Sequence, residues 1–324
     1  MIRAPHIVCH TIRFDEEILQ RLSTVDGITV EGVKDIDGFS TAVGKADGVI
    51  VSGFAYDKKV ADALCEHGKN VRWIQFTSSG IDTFLRHGGP ANVPVCNAAS
   101  AWGRGVAEHA FAMLLSLSRG IVHLERARLR KDWNQKNILT HVTGLEGQTA
   151  VIIGCGEIGK SIASRSAAFG MKTIGINRSG ASVSGFHQTT PISELGQALG
   201  MADVVFVCVP LTEDTKALIA AEQFELMVRC PIFINVARGP VIDQAALELA
   251  LKDGRIRAAG LDVFVPEPLP SDSGLWNLEN VILSPHISGQ GDPNVLKRIA
   301  ELCAENASRL RRGDPLLSQV TVAV

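Results

Sequence analysis

The chain of 324 residues lacks an apolar run that could cross a bilayer. Its most apolar stretches, Ala110 to Leu117 and Val204 to Pro210, are less than half the roughly 20 residues a spanning helix needs, and they read as buried core. An export signal is not expected either. Met1 to Phe14 scatters Arg3, His6, His10 and Arg13 among its apolar residues, leaving neither an apolar block nor a small-residue cleavage site. An excess of one charge is missing too: 32 Lys plus Arg against 34 Asp plus Glu leave a net charge of −2, so no strong field draws the molecule to nucleic acid or a membrane surface. Seven cysteines (Cys9, Cys65, Cys96, Cys155, Cys208, Cys230 and Cys303) form no CxxC pair and repeat no spacing. That pattern argues against a metal centre or a disulfide framework and suits small buried hydrophobes in a reducing compartment. A cytoplasmic protein with no metal, nucleic-acid or membrane partner is expected.

At about 150 residues per domain the length suggests two domains, and 46% apolar content supplies a core for both. Short β-rich runs alternate with helical patterns throughout, the mark of βα units around parallel sheets. A first series has candidate strands His6–Thr11, Ile28–Val33, Gly48–Gly53, Val71–Thr77 and Val93–Asn97, with helical segments such as Asp15–Ser23 and Tyr56–His67 between them. One long helical stretch, roughly Ala101 to Lys131, then runs apolar through Phe111, Leu114, Leu115 and Leu117 and turns basic toward Arg126, Arg128, Arg130 and Lys131. Cations suit the negative pole of a helix, so this reads as a connector rather than a nucleic-acid stripe. A second series follows from Gln148, with six strands at Thr149–Gly154, Lys172–Asn177, Asp203–Val209, Ile232–Val236, Ala258–Asp262 and Val281–Ser284. Six strands fit a doubly wound nucleotide-binding sheet. Asp292-Pro293, an N-cap and a first-turn proline, opens a last helix to about Arg312 that is expected to pack back onto the first domain. The domains are therefore set at 1–100 with 291–324, and 101–290.

The strand Thr149-Ala-Val-Ile-Ile-Gly154 runs straight into Gly154-Cys155-Gly156-Glu157-Ile158-Gly159 and a helical pattern through Ala168. This is GxGxxG between strand and helix, the dinucleotide fingerprint in its proper setting. Gly154 serves the tight turn, Gly156 the approach of a pyrophosphate, and Gly159 the close packing of helix on strand. Glu157 beside the pyrophosphate must turn its charge away. In an NAD site the second strand ends in an acid that holds the ribose hydroxyls. Here it ends in Asn177-Arg178-Ser179, an amide, a guanidinium and a hydroxyl, which favours NADP, with NAD as the alternative.

Three segments stand at the ends of later strands: Asn235 to Gly239, Asp262 to Pro268, and Ser284 to Gly289. Taken singly, Arg238 has an ordinary reading as a surface cation, Glu267 as a loop acid and His286 as one of nine histidines. Together they supply what a 2-hydroxy or 2-keto acid oxidoreductase needs. Arg238 can fork onto a carboxylate and polarise the adjoining carbonyl. His286 can pass a proton to or from the substrate oxygen, and Glu267 can fix the tautomer of its ring.

These residues, with Val106-Ala-Glu-His-Ala110, Gly144-Leu-Glu-Gly147, Val209-Pro-Leu-Thr212 with Thr215, and Gly260-Leu-Asp-Val-Phe264, are ordered and spaced as in one family. The chain resembles the D-isomer-specific 2-hydroxyacid dehydrogenases, the group that includes glyoxylate/hydroxypyruvate reductases, over nearly its whole length. The resemblance implies a Rossmann cofactor domain and a smaller flavodoxin-like substrate domain, both doubly wound parallel-sheet α/β folds, with a cleft between them and a homodimer made through the cofactor domain. It implies that Arg238 binds substrate, His286 donates the proton in reduction and Glu267 is its partner. It further implies that Asp262 holds the nicotinamide carboxamide, that Val209, Pro210, Val236 and Ala237 line the cofactor, and that Ser78, Ser79 and Gly80 offer backbone N–H groups to the substrate carboxylate. Glyoxylate or hydroxypyruvate is the expected substrate. The alternatives are a bulkier or phosphorylated acid, or a dinucleotide-sensing regulator resembling the corepressors that share this fold. His109 reads as a hydrogen-bonded structural histidine, Trp102 and Trp133 as core or interface anchors, and Phe54 as either core or pocket lining.

Overall fold

A computed structural model describes residues 3–11 and 15–320. The chain divides into two compact units, one built from the residues up to Trp102 together with those from Asp292 on, the other from Gly103–Gly291.

The strands in chain order are β1 (His6–His10), β2 (Thr29–Gly32), β3 (Gly48–Val51), β4 (Ile74–Phe76), β5 (Val95–Cys96), β6 (Thr149–Ile153), β7 (Lys172–Asn177), β8 (Gln188–Pro191), β9 (Val204–Val207), β10 (Ile232–Asn235), β11 (Ala258–Leu261), β12 (Val281–Leu283) and β13 (Gln319–Val320). In the first unit the order is β13-β5-β4-β3-β1-β2. All of these pairs are parallel except β13 with β5. Without β13 this is the flavodoxin-like winding, which reverses direction between β1 and β3. Helices cover both faces, so the inner strands β3 and β4 are buried at every residue rather than alternating. Val49, Ile50 and Val51 have no exposed surface.

The C-terminal helix Val295–Arg312 buries Ile299, Cys303, Ala304 and Ala307 with Ile7, Cys9 and Trp73 on one face of this sheet. Asn306 fastens it: its buried amide donates to Gln75 Oε1 at 2.8 Å and to the Leu317 carbonyl at 3.1 Å, and its oxygen accepts from Leu317 N–H at 2.8 Å. The cap is Asn294, not Asp292. Asp292 instead accepts from Asn294 N–H and pairs with Arg298, so the turn precedes the helix by two residues.

The second unit has the order β12-β11-β10-β9-β6-β7-β8, all parallel. This is the Rossmann winding, reversing between β6 and β9, with β12 added beyond. Seven strands stand where six were expected. The extra one, Gln188–Pro191, is an edge strand with only Thr190 buried, so no apolar run marks it. The single connector helix is in fact two, Ala99–Ser118 and Ile121–Arg130. Gly120 sits at φ 65 between them, and a left-handed residue cannot continue a right-handed helix. Phe54 is 85% exposed, which removes the core reading. Trp102 donates its indole N–H to the Thr77 carbonyl at 2.8 Å, whereas Trp133 is 97% exposed. Of the cysteines, Cys65 and Cys230 are exposed rather than buried, and all seven are free.

Candidate active site

At the reversal point of the second sheet, Gly154 ends β6 at φ 110, and a side chain there would lie 2.9 Å from the Cys208 carbonyl oxygen. A side chain on Gly159 would lie 1.9 Å from the Gly154 carbonyl oxygen, so helix Glu157–Ala168 can sit this close to the strand only over a glycine. Gly156 differs. Its backbone is ordinary (φ −75) and a methyl group would meet no protein atom within 4 Å. Protein packing gives no reason for a glycine there; a ligand drawn onto the backbone does. The helix behind it has no side-chain cap, so its first N–H groups and its dipole are left for an anion. The loop therefore fits a dinucleotide pyrophosphate. Glu157 pairs with Lys160 at 3.0 Å, which occupies its charge within the helix surface. Ile158 is half-buried beside it. Burial holds the thiols of Cys155 and Cys208 above the ordinary cysteine range, so the loop presents no thiolate to a phosphate.

At the end of β7, Asn177 spends its side chain on the turn: its oxygen accepts from Ser179 and Gly180 N–H at 3.1 and 2.6 Å, and its nitrogen donates to the Ala181 carbonyl. Arg178 and Ser179 are exposed, and the Arg178 guanidinium has no partner among the described residues. After β9, the Thr215 hydroxyl donates to the Pro210 carbonyl at 2.7 Å and closes the Val209-Pro210 turn, which explains the spaced threonines. Val209 is half-buried and Pro210 exposed. Val236 and Ala237 are 5% and 4% exposed, so their side chains belong to the core and only their backbone can line a ligand.

Arg238 follows β10, half-buried, with Nη1 donating to the Ala237 carbonyl at 2.7 Å. A side chain on Gly239 would lie 2.0 Å from the Phe264 carbonyl oxygen, so this glycine lets the Arg238 loop lie against the loop after β11. In that loop Glu267 is anchored by one oxygen, which accepts from Phe264 N–H at 2.9 Å, and its other oxygen accepts from His286 Nδ1 at 2.8 Å. The Val265-Pro266 and Glu267-Pro268 bonds are both cis. With Nδ1 committed to the carboxylate, Nε2 of His286 is the nitrogen left for chemistry. The ring is about half exposed, so that nitrogen is within reach of a ligand.

Asp262 has no exposed surface. Its Oδ1 accepts from the Ser284 hydroxyl at 2.6 Å and Ile287 N–H at 2.9 Å, its Oδ2 from Ser288 N–H at 3.0 Å. Ser284 Oγ also meets His109 Nε2 at 2.9 Å. The carboxylate thus faces the loop that carries His286. Two residues here carry no signal in the sequence. Gln244 holds the Glu267 loop by bonding both the N–H and the carbonyl of Val265, at 2.9 and 3.0 Å. Trp276 helps line a cavity of about 530 Å³ that opens beside Glu267 and His286, among Phe264, Leu269, Leu283 and Pro285. Nothing but folding marks either.

In the first unit, Ser78, Ser79 and Gly80 are half-buried where β4 runs into helix Asp82–His87. The Ser78 hydroxyl donates to the Gly80 carbonyl at 2.7 Å, and Asn97 donates to the Ser79 carbonyl at 2.9 Å. Their own N–H groups bond to nothing among the described residues. Half-buried N–H groups without acceptors call for an anion or water.

Residues 111–288 match the NAD-binding domain of the D-isomer-specific 2-hydroxyacid dehydrogenases. The glyoxylate reductase of Pyrococcus furiosus is 32% identical over 88% of this chain and 82% of its own length. The glycerate dehydrogenase of Methylorubrum extorquens is 33% identical over 76% of this chain and 78% of its own. A D-isomer-specific 2-hydroxyacid dehydrogenase from Xanthobacter autotrophicus, solved with NADPH and MES, superposes with a TM-score of 0.85 over 98% of both chains at 26% identity. The chain belongs to the D-isomer-specific 2-hydroxyacid dehydrogenases. It is an NAD(P)-dependent oxidoreductase.

Proposed function

We propose that the protein reduces small 2-keto acids, glyoxylate or hydroxypyruvate foremost, to D-2-hydroxy acids with NADPH. The observation that carries this reading is the His286–Glu267 pair, anchored at Phe264 N–H, with Nε2 left open and the Arg238 loop packed against the same Phe264 loop. Gly154, Gly156, Gly159 and the uncapped helix would hold the pyrophosphate, and Val209, Pro210, Val236 and Ala237 the flanking parts of the dinucleotide. When bound, that cofactor supplies the hydride. Arg238 holds the substrate carboxylate with its fork of donors and draws charge from the adjoining carbonyl. In the first unit, the unpaired N–H groups at Ser78, Ser79 and Gly80 suit a carboxylate. His286, charged on both nitrogens, delivers its Nε2 proton to the oxygen as charge builds there, and Glu267 stabilises the imidazolium and keeps its plane fixed.

The unpartnered Arg178 and the absence of an acid at 177–179 support NADP, as does the NADPH bound to the Xanthobacter relative. Arg178→Ala should raise KM for NADPH about tenfold and leave KM for NADH within about twofold, since one charge-assisted hydrogen bond is worth about 1.5–3 kcal/mol. Seven free cysteines fit the cytoplasm. Leu124, Leu129, Trp133 and Leu139 are all exposed on and just beyond helix Ile121–Arg130, an apolar surface that supports a homodimer. The test of the whole reading is initial-rate oxidation of NADPH and NADH with glyoxylate, hydroxypyruvate, pyruvate and bulkier keto acids. Turnover fastest with NADPH and the two small acids is expected. No turnover with glyoxylate or hydroxypyruvate overturns the small-keto-acid reading in favour of a bulkier or phosphorylated acid.

A further inference from the structure

His286 sits at φ 54, in the left-handed region. For a residue with a β-carbon this region is unfavourable, so something in the surrounding structure must impose it. Its own N–H reaches back to the Ser284 carbonyl at 3.0 Å. The next two N–H groups, of Ile287 and Ser288, both turn down onto the Asp262 carboxylate. Three successive backbone groups are thus tied on either side of the catalytic ring. The acceptor that ties two of them is a carboxylate with no exposed surface, where a lost partner is not replaced by water.

Counting protons gives the direction of the network. Ser284 has one hydroxyl proton, and the 2.6 Å contact with Asp262 Oδ1 uses it, because an ionised carboxylate only accepts. The 2.9 Å contact between His109 Nε2 and Ser284 Oγ must then be donated by the histidine. His109 therefore carries its proton on Nε2, and the chain runs His109 N–H to Ser284 O–H to Asp262. His109 lies on helix Ala99–Ser118 and Ser284 at the end of β12, so the clasp ties the loop to two rigid elements.

We propose that His109, Ser284 and Asp262 are positioning residues that hold the left-handed turn at His286 and so set where its Nε2 stands relative to the reacting oxygen. Ser284 and His109 act through Asp262 and need no contact with substrate or cofactor. The proposal rests on the reading of His286 as the proton donor. Its chemical content is that breaking the clasp frees the ring without emptying the dinucleotide site. A donor misplaced by about 1 Å costs on the order of 100-fold in rate.

The test uses the full-length enzyme with glyoxylate, measuring kcat by NADPH oxidation and Kd for NADPH by fluorescence titration. Ser284→Ala and His109→Leu should each lower kcat by about 10- to 100-fold while Kd for NADPH stays within about twofold. Ser284→Thr, which keeps the hydroxyl, and His109→Gln, which keeps a donor near Nε2, should recover most of the loss. The proposal is overturned if Ser284→Ala and His109→Leu keep kcat, if kcat and NADPH affinity fall together, or if the conservative pair is no better than the disruptive pair. His286→Gln is run alongside. If that variant keeps turnover, the assignment of His286 has failed and the clasp falls with it; if only the clasp variants keep turnover, the assignment stands without the clasp.

Discussion

The two sheets are wound by the same rule, yet the ends of their strands are furnished differently. In the second unit the loops after β10, β11 and β12 bring a guanidinium, a carboxylate and an imidazole, and each is tied down. Arg238 bonds a neighbouring carbonyl, Glu267 a backbone N–H, and His286 is fixed by Glu267 on one side and the Asp262 network on the other. In the first unit the loop after β4 offers hydroxyls and unpaired N–H groups, and the loop after β3 offers Phe54 with 85% of its surface exposed. Neither of those two loops carries a titratable side chain between Val51 and Tyr56 or between Phe76 and Ile81. The difference lies in the chemistry on offer: the loops of the second sheet carry charged and titratable groups held by hydrogen bonds, and the two loops of the first sheet carry neutral donors and an exposed ring.

Substitutions can break that contrast. The largest effect is expected from Arg238→Ala, which should lower kcat/KM for glyoxylate by 100-fold or more, because the proposed fork on the substrate carboxylate and its pull on the adjoining carbonyl are lost. Steady-state kinetics against the wild type checks it. A smaller and different effect is expected from the first unit: Ser78→Ala loosens the loop by one hydrogen bond, worth about 0.5–1.5 kcal/mol. Its KM for the keto acid should rise about two- to tenfold with kcat nearly unchanged. A fall in kcat instead would mean that the first unit shares in the chemistry.

Two glycines of one loop sharpen the contrast between packing and binding. Gly159→Val drives a side chain into the Gly154 carbonyl and should lower Tm by several degrees or prevent folding. The β-carbon in Gly156→Val meets no protein atom within 4 Å, and the variant should leave Tm almost unchanged while weakening NADPH binding by tenfold or more. Thermal melts and fluorescence titration separate them. Loss of Tm in Gly156→Val would show that this glycine serves the fold after all.

The smallest effect lies away from the site. His123 and His141 stack with ring centroids 3.7 Å apart and planes 11° from parallel. Burial, then His141, then Arg126 push the His123 pKa below its ordinary value of 6.5, against a weaker opposite pull from Glu279. A base whose pKa is lowered by folding binds its proton more weakly folded than unfolded. Its contribution to stability is therefore complete above about pH 6.5 and is lost as the pH falls from there toward the lower folded value. His123→Phe keeps a ring in the stack and removes the proton, so the drop in Tm between pH 7 and 5 should shrink. An unchanged drop would place the acid sensitivity elsewhere.

How much of this was legible beforehand follows from what each residue does. The β6 strand and the glycine loop are readable because parallel strands are apolar runs and because dinucleotide binding fixes residue types at fixed spacing, and the Glu267–His286 bond brings together two of the three residues singled out at strand ends. Gln188–Pro191 is not readable, since an edge strand half in water needs no apolar pattern. The break at Gly120 is hidden because a glycine inside a helical pattern is tolerated as often as it ends one. The clasp at Asp262 is hidden for a different reason. His109 and Ser284 are 175 positions apart, and nothing in a linear pattern says that a helix histidine and a strand-end serine share one buried carboxylate. Asp262 bonds the His286 loop through both oxygens.

The assignment of the proton to His286 is tested most directly by His286→Gln in the purified enzyme, with NADPH affinity and the rate of glyoxylate reduction measured on the same sample. The expected result is an NADPH Kd within about twofold of wild type and a kcat lowered by at least 100-fold, the share that general acid catalysis commonly supplies. Wild-type kcat in that variant would contradict the account, whatever the cofactor affinity proved to be.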